Sequence, residues 1–368
     1  MKFISLIKKL KDIFVISSNT IILLLIINLL SIYVFNYNHN SRKSDRYSKL
    51  PNVVKANYSH LSKSEVNSIL NTTWSGGWEY EEVLGFKERK RSSKFVNVNS
   101  FGFRNSTDLE NFLVELNGAI WFFGGSNTFG YGLADQETIP SILGSYLDTK
   151  VVNLGRGHYF SEQENLLLMK LLKVGVRPSK VVFLDGINER CSIQNYQNEM
   201  KSIFFKAQKP HNFSDYLFNI VEPTISLLTK VANEFGLEIP KKDQAKNLHS
   251  INCKFYNKKI ELNQVVNRNL KMRSDLCLSN NLDCLTVLQP FAGVHGQHLS
   301  FQDLNKSQRK EMKLMFSKIK PIFELHNALD VTGSLSYLNK HAFVDDVHYS
   351  FEANQLIARA IAKSFKKK

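Results

Sequence analysis

What this 368-residue chain lacks narrows what it can be. None of its four cysteines, Cys191, Cys253, Cys277 and Cys284, stands in C-x-x-C spacing, which argues against a zinc ribbon. Cys277 and Cys284 are placed to bridge in an oxidising compartment, but Cys284 also opens an apolar run where a buried free thiol fits equally well. No stretch repeats itself, so the pattern is not that of a solenoid. Acidic residues are fewer than basic ones, 33 against 48, for a net charge of +15. The excess is scattered over "IKKLK", "FKERKRSSK", "IPKKDQAK" and "SFKKK", and is densest at residues 87–91. No basic groove interleaved with aromatics accompanies it, which argues against a nucleic-acid partner. A solvated basic surface remains, or attraction to anionic glycans or a membrane.

Charge is absent altogether from residues 13–35, "IFVISSNTIILLLIINLLSIYVF". That length exceeds the roughly 20 apolar residues that span a bilayer. Lys2, Lys8, Lys9 and Lys11 precede the run, and no small-x-small cleavage site follows it. The segment therefore reads as a retained signal anchor, without the apolar stripe of a soluble amphipathic helix. Arg42, Lys43, Arg46 and Lys49 on the far side blunt the positive-inside bias, but a short tail before a large domain favours the tail inside and the domain exported. The expected organisation is a cytoplasmic tail (1–12), a membrane anchor (13–35), a polar linker (36–69), a small β-rich lead-in (70–116) and a main domain (117–368) with an irregular insertion around 190–270. In the lead-in, Trp74 and Trp78 are placed either to pack or to stack on a sugar ring.

After residue 117 apolar strands alternate with helices. "AIWFFGG", "KVVNLG", "SKVVFLDG" and "CLTVLQP" read as strands, and "ETIPSILGSYLD" as a helix. "SEQENLLLMKLLKVG" reads as a helix that opens with a capping box, Ser161 to Glu164. A terminal helix places Ala353, Leu356, Ile357, Ala360, Ile361 and Phe365 on one face. Such alternation implies an α/β fold with a parallel sheet covered on both sides.

"FFGGSNTFGYG" (122–132) places Ser126 at the end of a buried strand among four glycines. Glycines admit positive φ and close backbone approach, and a serine on a strand-to-helix turn presents its hydroxyl as a nucleophile does. Parallel sheets bind ligands at the carboxyl ends of their strands. Three other tips fall there or beside the last helix: "NLGRGH", "LDGINE" and "VDDVHYS". A serine nucleophile needs a base, and the base needs a partner. His348 supplies the first, Asp345 or Asp346 the second, from one loop. The N–H groups of Ser126 and Gly155 and the side-chain amide of Asn188 are candidate donors to an oxyanion. Arg156, His158 and Arg190 flank these tips, either as substrate contacts or as solvated charge. His295 and His298 in "GVHGQH" have H-x-x-H spacing without a third ligand, and read as loop rather than metal site.

Taken in order, "GGSNTFGYG", "NLGRG", "DGINE" and "DDVH" resemble the four blocks of the SGNH/GDSL hydrolase superfamily, over roughly residues 117–365. The resemblance implies a three-layer α/β/α sandwich with a flavodoxin-like parallel sheet. It implies Ser126 as nucleophile, His348 with Asp345 as base and partner, Gly155 and Asn188 as oxyanion donors, and no metal or cofactor. Gly125 departs from the aspartate of G-D-S, and Glu189 from the aspartate after Asn188. These departures and the lead-in "FVNVNSFGFRN" resemble a membrane-associated bacterial subgroup that acts on cell-surface polysaccharides. The expected activity is an extracytoplasmic esterase that removes O-acyl groups, acetyl foremost, from an acylated surface glycan. The alternatives are an O-acetyltransferase served by an acyl-donating membrane partner, or a non-catalytic glycan-binding or assembly protein on the same fold.

The anchor reading has a direct test. An exported-only reporter fused after Lys368 is expected to be active, and alkaline carbonate is expected to leave the protein in the membrane; a cytoplasmic C-terminus would reverse the orientation.

Overall fold

The computed structural model describes residues 45–106, 109–192, 261–295, 306–338 and 341–365, together with helical residues 11, 14–20, 22–23 and 26–30. The chain forms two compact units, one of Met1–Asp45 with Lys209–Leu248 and one of Arg46–Gln208 with His249–Lys368. In the first, the described residues from 11 to 30 are helical and their large apolar side chains, Phe14, Ile16, Leu23 and Leu29 among them, are exposed. Among the described residues no helix is long and apolar enough to cross a membrane. The expected anchor falls only partly within them, since residues 13, 21, 24–25 and 31–35 lie outside.

In chain order the second unit comprises α1 (Lys63–Trp74), β1 (Trp78–Glu81), β2 (Gly85–Glu88), α2 (Leu109–Leu116), β3 (Ile120–Gly124), α3 (Ser126–Phe129), α4 (Ile139–Leu147), β4 (Val151–Asn153), α5 (Ser161–Leu172), β5 (Lys180–Asp185), α6 (Leu262–Ser279), β6 (Cys284–Leu288), α7 (Lys306–Leu325), β7 (Leu329–Asp330) and α8 (Phe351–Phe365). Five strands form one sheet in the order β4-β3-β5-β6-β7, all neighbours parallel. This is the flavodoxin-like order, with the switch point at β3. Every residue of β3 is buried, as a central parallel strand requires. Phe122 faces a core shared with Ile139, Leu143, Ile357 and Ile361, so α4 and α8 cover one side of the sheet. Trp121 and Phe123 face the opposite core with Phe112, Leu116, Leu167 and Leu168, so α2 and α5 cover the other. The expected sandwich and its four strands are thus present. β7 adds a fifth strand of two residues, too short to display a period in the sequence.

The segment before the sheet departs from expectation. Residues 45–69, read as linker, are folded: Val54, Tyr58, Val66 and Leu70 are buried in one cluster with Leu133 and Val344. The polar composition concealed an apolar residue every three to four positions, enough for a helical face. α1 opens on a capping box, Ser62 with Glu65. The lead-in is a mixture rather than β-rich: a β1–β2 hairpin, isolated bridges Arg91↔Val98 and Val98↔Arg104, and α2, which belongs to the sandwich. Its basic run is engaged within the chain. Lys87 donates to the Ser100 carbonyl, Arg89 to that of Trp78, and Arg91 pairs with Glu88 at 2.9 Å. Of the insertion expected around 190–270, residues 193–260 lie outside the described set, whereas α6 packs against α5 and α7 as part of the scaffold.

Cys277 and Cys284 form a disulfide between the end of α6 and the start of β6, with Cα atoms 6.2 Å apart. The side chain of Cys191 and all of Cys253 lie outside the described residues. Closing so short a loop stabilises by about 2 kcal/mol through the unfolded chain. Cys277→Ser is expected to lower the urea midpoint accordingly, and reductant is expected to reproduce the loss in the wild type but not in the variant.

Candidate active site

Ser126 stands at the first position of α3, directly after β3. Thr128 N and Phe129 N donate back to the Gly125 carbonyl at 3.1 and 3.0 Å, while the N–H of Ser126, in the first turn, has no intrahelical acceptor. Gly125 is required by a close approach: a Cβ there would collide with Asn188 Nδ2 and lie 3.0 Å from the Tyr159 carbonyl. A glycine at this position thus makes room for the Asn188 amide beside Ser126. That amide donates one N–H to the Tyr159 carbonyl at 2.8 Å, and an amide nitrogen carries a second. Gly132, at φ +81, faces Trp74 Cη2 at 2.7 Å from an added Cβ.

The loop after Ser126 is held from the lead-in. Arg104, fully buried, donates to the carbonyls of Phe129 (2.9 Å), Gly130 and Leu133, and pairs with Asp135 at 2.8 Å. Gly155 packs its Cα against Phe129 N and Thr128, and its N–H donates to Asn153 Oδ1 at 3.0 Å. That N–H, expected at the oxyanion, is engaged within its own turn here. In the same turn His158 adopts φ +64 and meets the Trp78 ring edge-on at 5.5 Å.

His348 and Asp345 come together as one unit. His348 Nδ1 lies 2.7 Å from Asp345 Oδ2, and Asp345 Oδ1 accepts from the N–H groups of Val347 and His348 at 2.9 and 2.7 Å. Asp346 is exposed, so Asp345 is the partner. Burial alone would raise the Asp345 pKa, but the His348 ring and these donors outweigh it and hold the carboxyl below its usual range. Among the described residues, His348 Nε2 is buried without a hydrogen-bond partner. The Ser126 turn and this loop are joined next to both residues, where Tyr349 N donates to Asn127 Oδ1 at 3.3 Å.

Beneath Asn188 lies a buried ionic cluster that the sequence did not disclose. Arg273 of α6 pairs with Asp185 at the tip of β5 and with Glu164 of α5 (3.2 Å), and donates to Asn165 Oδ1 at 3.0 Å. Glu189 accepts from Ser161 N at 3.0 Å and Ser161 Oγ at 2.8 Å. The capping box expected at Ser161 and Glu164 is therefore absent. α5 is capped by Phe160 with no side-chain bond, because Ser161 binds Glu189 and Glu164 faces Arg273. A carboxylate supplied from the β5 loop stands at the positive end of the helix instead. Burial, then the nearby Asp185, raise Glu189 to about 7, against the opposing Ser161 donors and Arg273.

Among the remaining candidates, Arg156 is neither solvated nor free for substrate. It is buried and bonded to Glu81, to the Tyr159 hydroxyl at 2.8 Å and to the Phe101 carbonyl at 2.9 Å. The Arg190 side chain and His298 lie outside the described residues. His295 Nδ1 accepts from Phe291 N at 2.9 Å, and burial pushes its pKa down to about 4. Among the described residues no cluster of three or more His, Cys, Asp or Glu is arranged to hold a metal ion. Trp74 packs on Tyr131 and His348, and Trp78 on Phe86 and His158. Arg104 and Tyr131 were missed as site residues. Their signals were present, an arginine closing "FGFR" and a tyrosine between two glycines, but neither residue type announces chemistry.

No family model matches the chain, and no curated protein matches it. Among solved structures it is similar to an alpha/beta hydrolase enzyme from the metagenome of Lake Arreo, Spain, at 12% identity over 68% of this chain and 97% of that chain, TM-score 0.37. It is also similar to a variant of an acetyl xylan esterase from Geobacillus stearothermophilus, at 16% identity over 68% and 95% of the two chains, TM-score 0.36. A third is a carbohydrate acetylesterase from Sinorhizobium meliloti, at 10% identity over 68% and 99%, TM-score 0.33. The functional reading rests on this chain's own geometry.

The Glu189 carboxyl titrates with a sign that can be checked. A carboxyl whose folded pKa is raised binds more protons folded than unfolded. Its contribution to stability is full below the ordinary value of 4.5 and is lost as pH rises toward about 7. Glu189→Gln is therefore expected to gain stability relative to wild type between pH 5 and pH 8, read from urea unfolding at both. Parallel curves would contradict the assignment.

Proposed function

We propose that this chain is a serine esterase of the SGNH/GDSL type. The observation that carries the reading is the His348–Asp345 pair, whose Nε2 is left without a partner among the described residues, in a loop tied by Tyr349 N to Asn127, the residue after Ser126. In this mechanism the Ser126 hydroxyl attacks an ester carbonyl while His348 Nε2 takes its proton, and Asp345 holds the ring and its charge. Hydrogen bonds to nucleophiles are often long in free enzymes and tighten with substrate. The developing oxyanion is met by the Ser126 N–H and by the second N–H of Asn188. His348 then returns its proton to the leaving alcohol, and a water activated by the same ring releases the acyl group.

A recess beside Ser126 is lined by Gly125, Asn127, Tyr159, Ile187, Asn188 and Gln289. It has room for about one water-sized group, which supports a short acyl group such as acetyl. The amide-rich lining supports a hydroxylated carrier, an O-acetylated glycan. The uncharged run at 13–35 and the Cys277–Cys284 disulfide support a membrane-anchored enzyme facing an oxidising compartment.

Ser126→Ala is expected to abolish covalent labelling by a fluorophosphonate probe and hydrolysis of a small acetyl ester, with melting nearly unchanged. His348→Ala is expected to match it, since the pair acts as a unit. Asn188→Ala is expected to lose about 10²-fold in kcat. Undiminished turnover by the Ser126 variant would end this reading.

A further inference from the structure

A histidine that takes and returns a proton needs its ring held as well as its Nδ1. Asp345 fixes one edge of His348, but one hydrogen bond leaves the imidazole free to rock about it. Among the described residues, the two ring contacts of His348 come from outside its own loop. Tyr131 stacks on it with centroids 5.4 Å apart and planes at 27°. Trp74 meets it at 6.0 Å and 82°. Tyr131 and Trp74 also brace each other at 6.1 Å and 65°. Tyr131 is itself pinned, because its hydroxyl donates to Glu88 Oε1 at 2.7 Å. Glu88 is 1% exposed. Its Oε2 is held by Arg91 at 2.9 Å, and its Oε1 also accepts from Gly157 N at 3.1 Å. The phenol therefore cannot turn without breaking a bond to a buried charge, which is costly.

We infer that Tyr131, clamped through its hydroxyl by Glu88, forms with Trp74 an aromatic cradle that positions His348 and stabilises the imidazolium formed when Ser126 gives up its proton. The inference rests on the esterase reading for its chemistry. A cation over an aromatic face is attracted by the ring quadrupole, and a phenol donating to a carboxylate presents a more electron-rich face. The proton passes from Ser126 Oγ to His348 Nε2 alone. Tyr131 keeps its own, since burial and Glu88 both raise its pKa. Tyr131 and Trp74 are positioning residues, and the lead-in that supplies Trp74, Glu88 and Arg91 becomes part of the housing of the base. Gly132 belongs to the same device, because a side chain there would drive Trp74 away.

The test compares Tyr131→Leu, Tyr131→Phe and Glu88→Gln in the full chain, by steady-state kinetics on a small acetyl ester and by proton NMR. The NMR signal is the low-field Nδ1–H resonance of His348, recorded in the Ser126→Ala background and assigned by its loss in His348→Ala. Tyr131→Leu is expected to lower kcat about 10-fold with KM within about twofold, and to broaden the resonance while the melting temperature holds. Tyr131→Phe, which keeps the ring but not the clamp, and Glu88→Gln are each expected to lose about threefold in kcat. A wild-type kcat and a sharp resonance in Tyr131→Leu would overturn the cradle. If that variant does not fold, unchanged kcat and resonance in both Tyr131→Phe and Glu88→Gln would overturn it. The NMR arm needs no turnover, so a protein that failed to hydrolyse esters would end the esterase reading while the cradle was still judged by the resonance.

Discussion

The buried guanidinium of Arg104 is the constraint on which the rest of the site depends. It reaches from the lead-in to the carbonyls of Phe129, Gly130 and Leu133 after Ser126 and to the carboxylate of Asp135. Asp135 is bound in turn to Asn97 through both its backbone N–H and its side chain. The loop after Ser126 has little regular structure of its own, so its carbonyls need donors from elsewhere. One rigid fork satisfies several at once, a task that suits arginine and not lysine. Breaking such a pair from one side strands a buried charge, at about 3–5 kcal/mol. The same arginine bridges to Asn153 at the tip of β4, whose side chain donates to the Thr128 carbonyl. The Ser126 turn, the Gly155 turn and the lead-in therefore share one polar knot.

A second knot, around Arg273, does for the β5 tip what Arg104 does for β3. Asp185 and Glu189 bracket the Gly186–Ile187–Asn188 turn, and each is tied to a neighbouring helix, α6 in one case and α5 in the other. Two carboxyls share one guanidinium, with Glu189 nearby, and burial together with Asp185 keeps Glu164 and Glu189 inclined to hold protons. Buried ionic groups of this kind contribute less to net stability than to fixing one arrangement. Here the arrangement fixed is the Asn188 amide against Gly125.

How much of this was legible follows from the physics of each signal. The four strands were readable because central parallel strands must be continuously apolar, and "IWFF" and "VVFL" admit no other use. The terminal helix was readable because its burial is a stripe. The loops carrying Ser126, Asn188 and His348 could be picked out because polar, glycine-rich tips on apolar strands are conspicuous, and the choice between Asp345 and Asp346 needed only exposure. What stayed hidden depends on partners far away in sequence. Ser161 and Glu164 have capping-box spacing, but Glu189 and Arg273 compete for them across the fold. Arg156 looks like any surface arginine until Glu81, 75 positions earlier, is placed beside it. The helical turns within residues 45–69 were concealed because average polarity says nothing about the few apolar residues that share a face.

Asn57 donates to the carbonyl of Phe343 across 286 residues at 3.0 Å, and Tyr58 donates to that of Gly132 at 2.8 Å. The first contact joins one of the earliest segments of the second unit to the loop that carries His348, and the second joins it to the loop after Ser126. Closing so large a loop is entropically late, and a topology rich in such pairings folds slowly. During synthesis the segment around Tyr58 is made long before its partner at Phe343 exists. The sheet can form around β3, β4 and β5 while His348 and its housing are still apart. Ser126 is thus made well before His348, the group proposed to activate it, and a chain interrupted anywhere before residue 343 carries Ser126 without that partner.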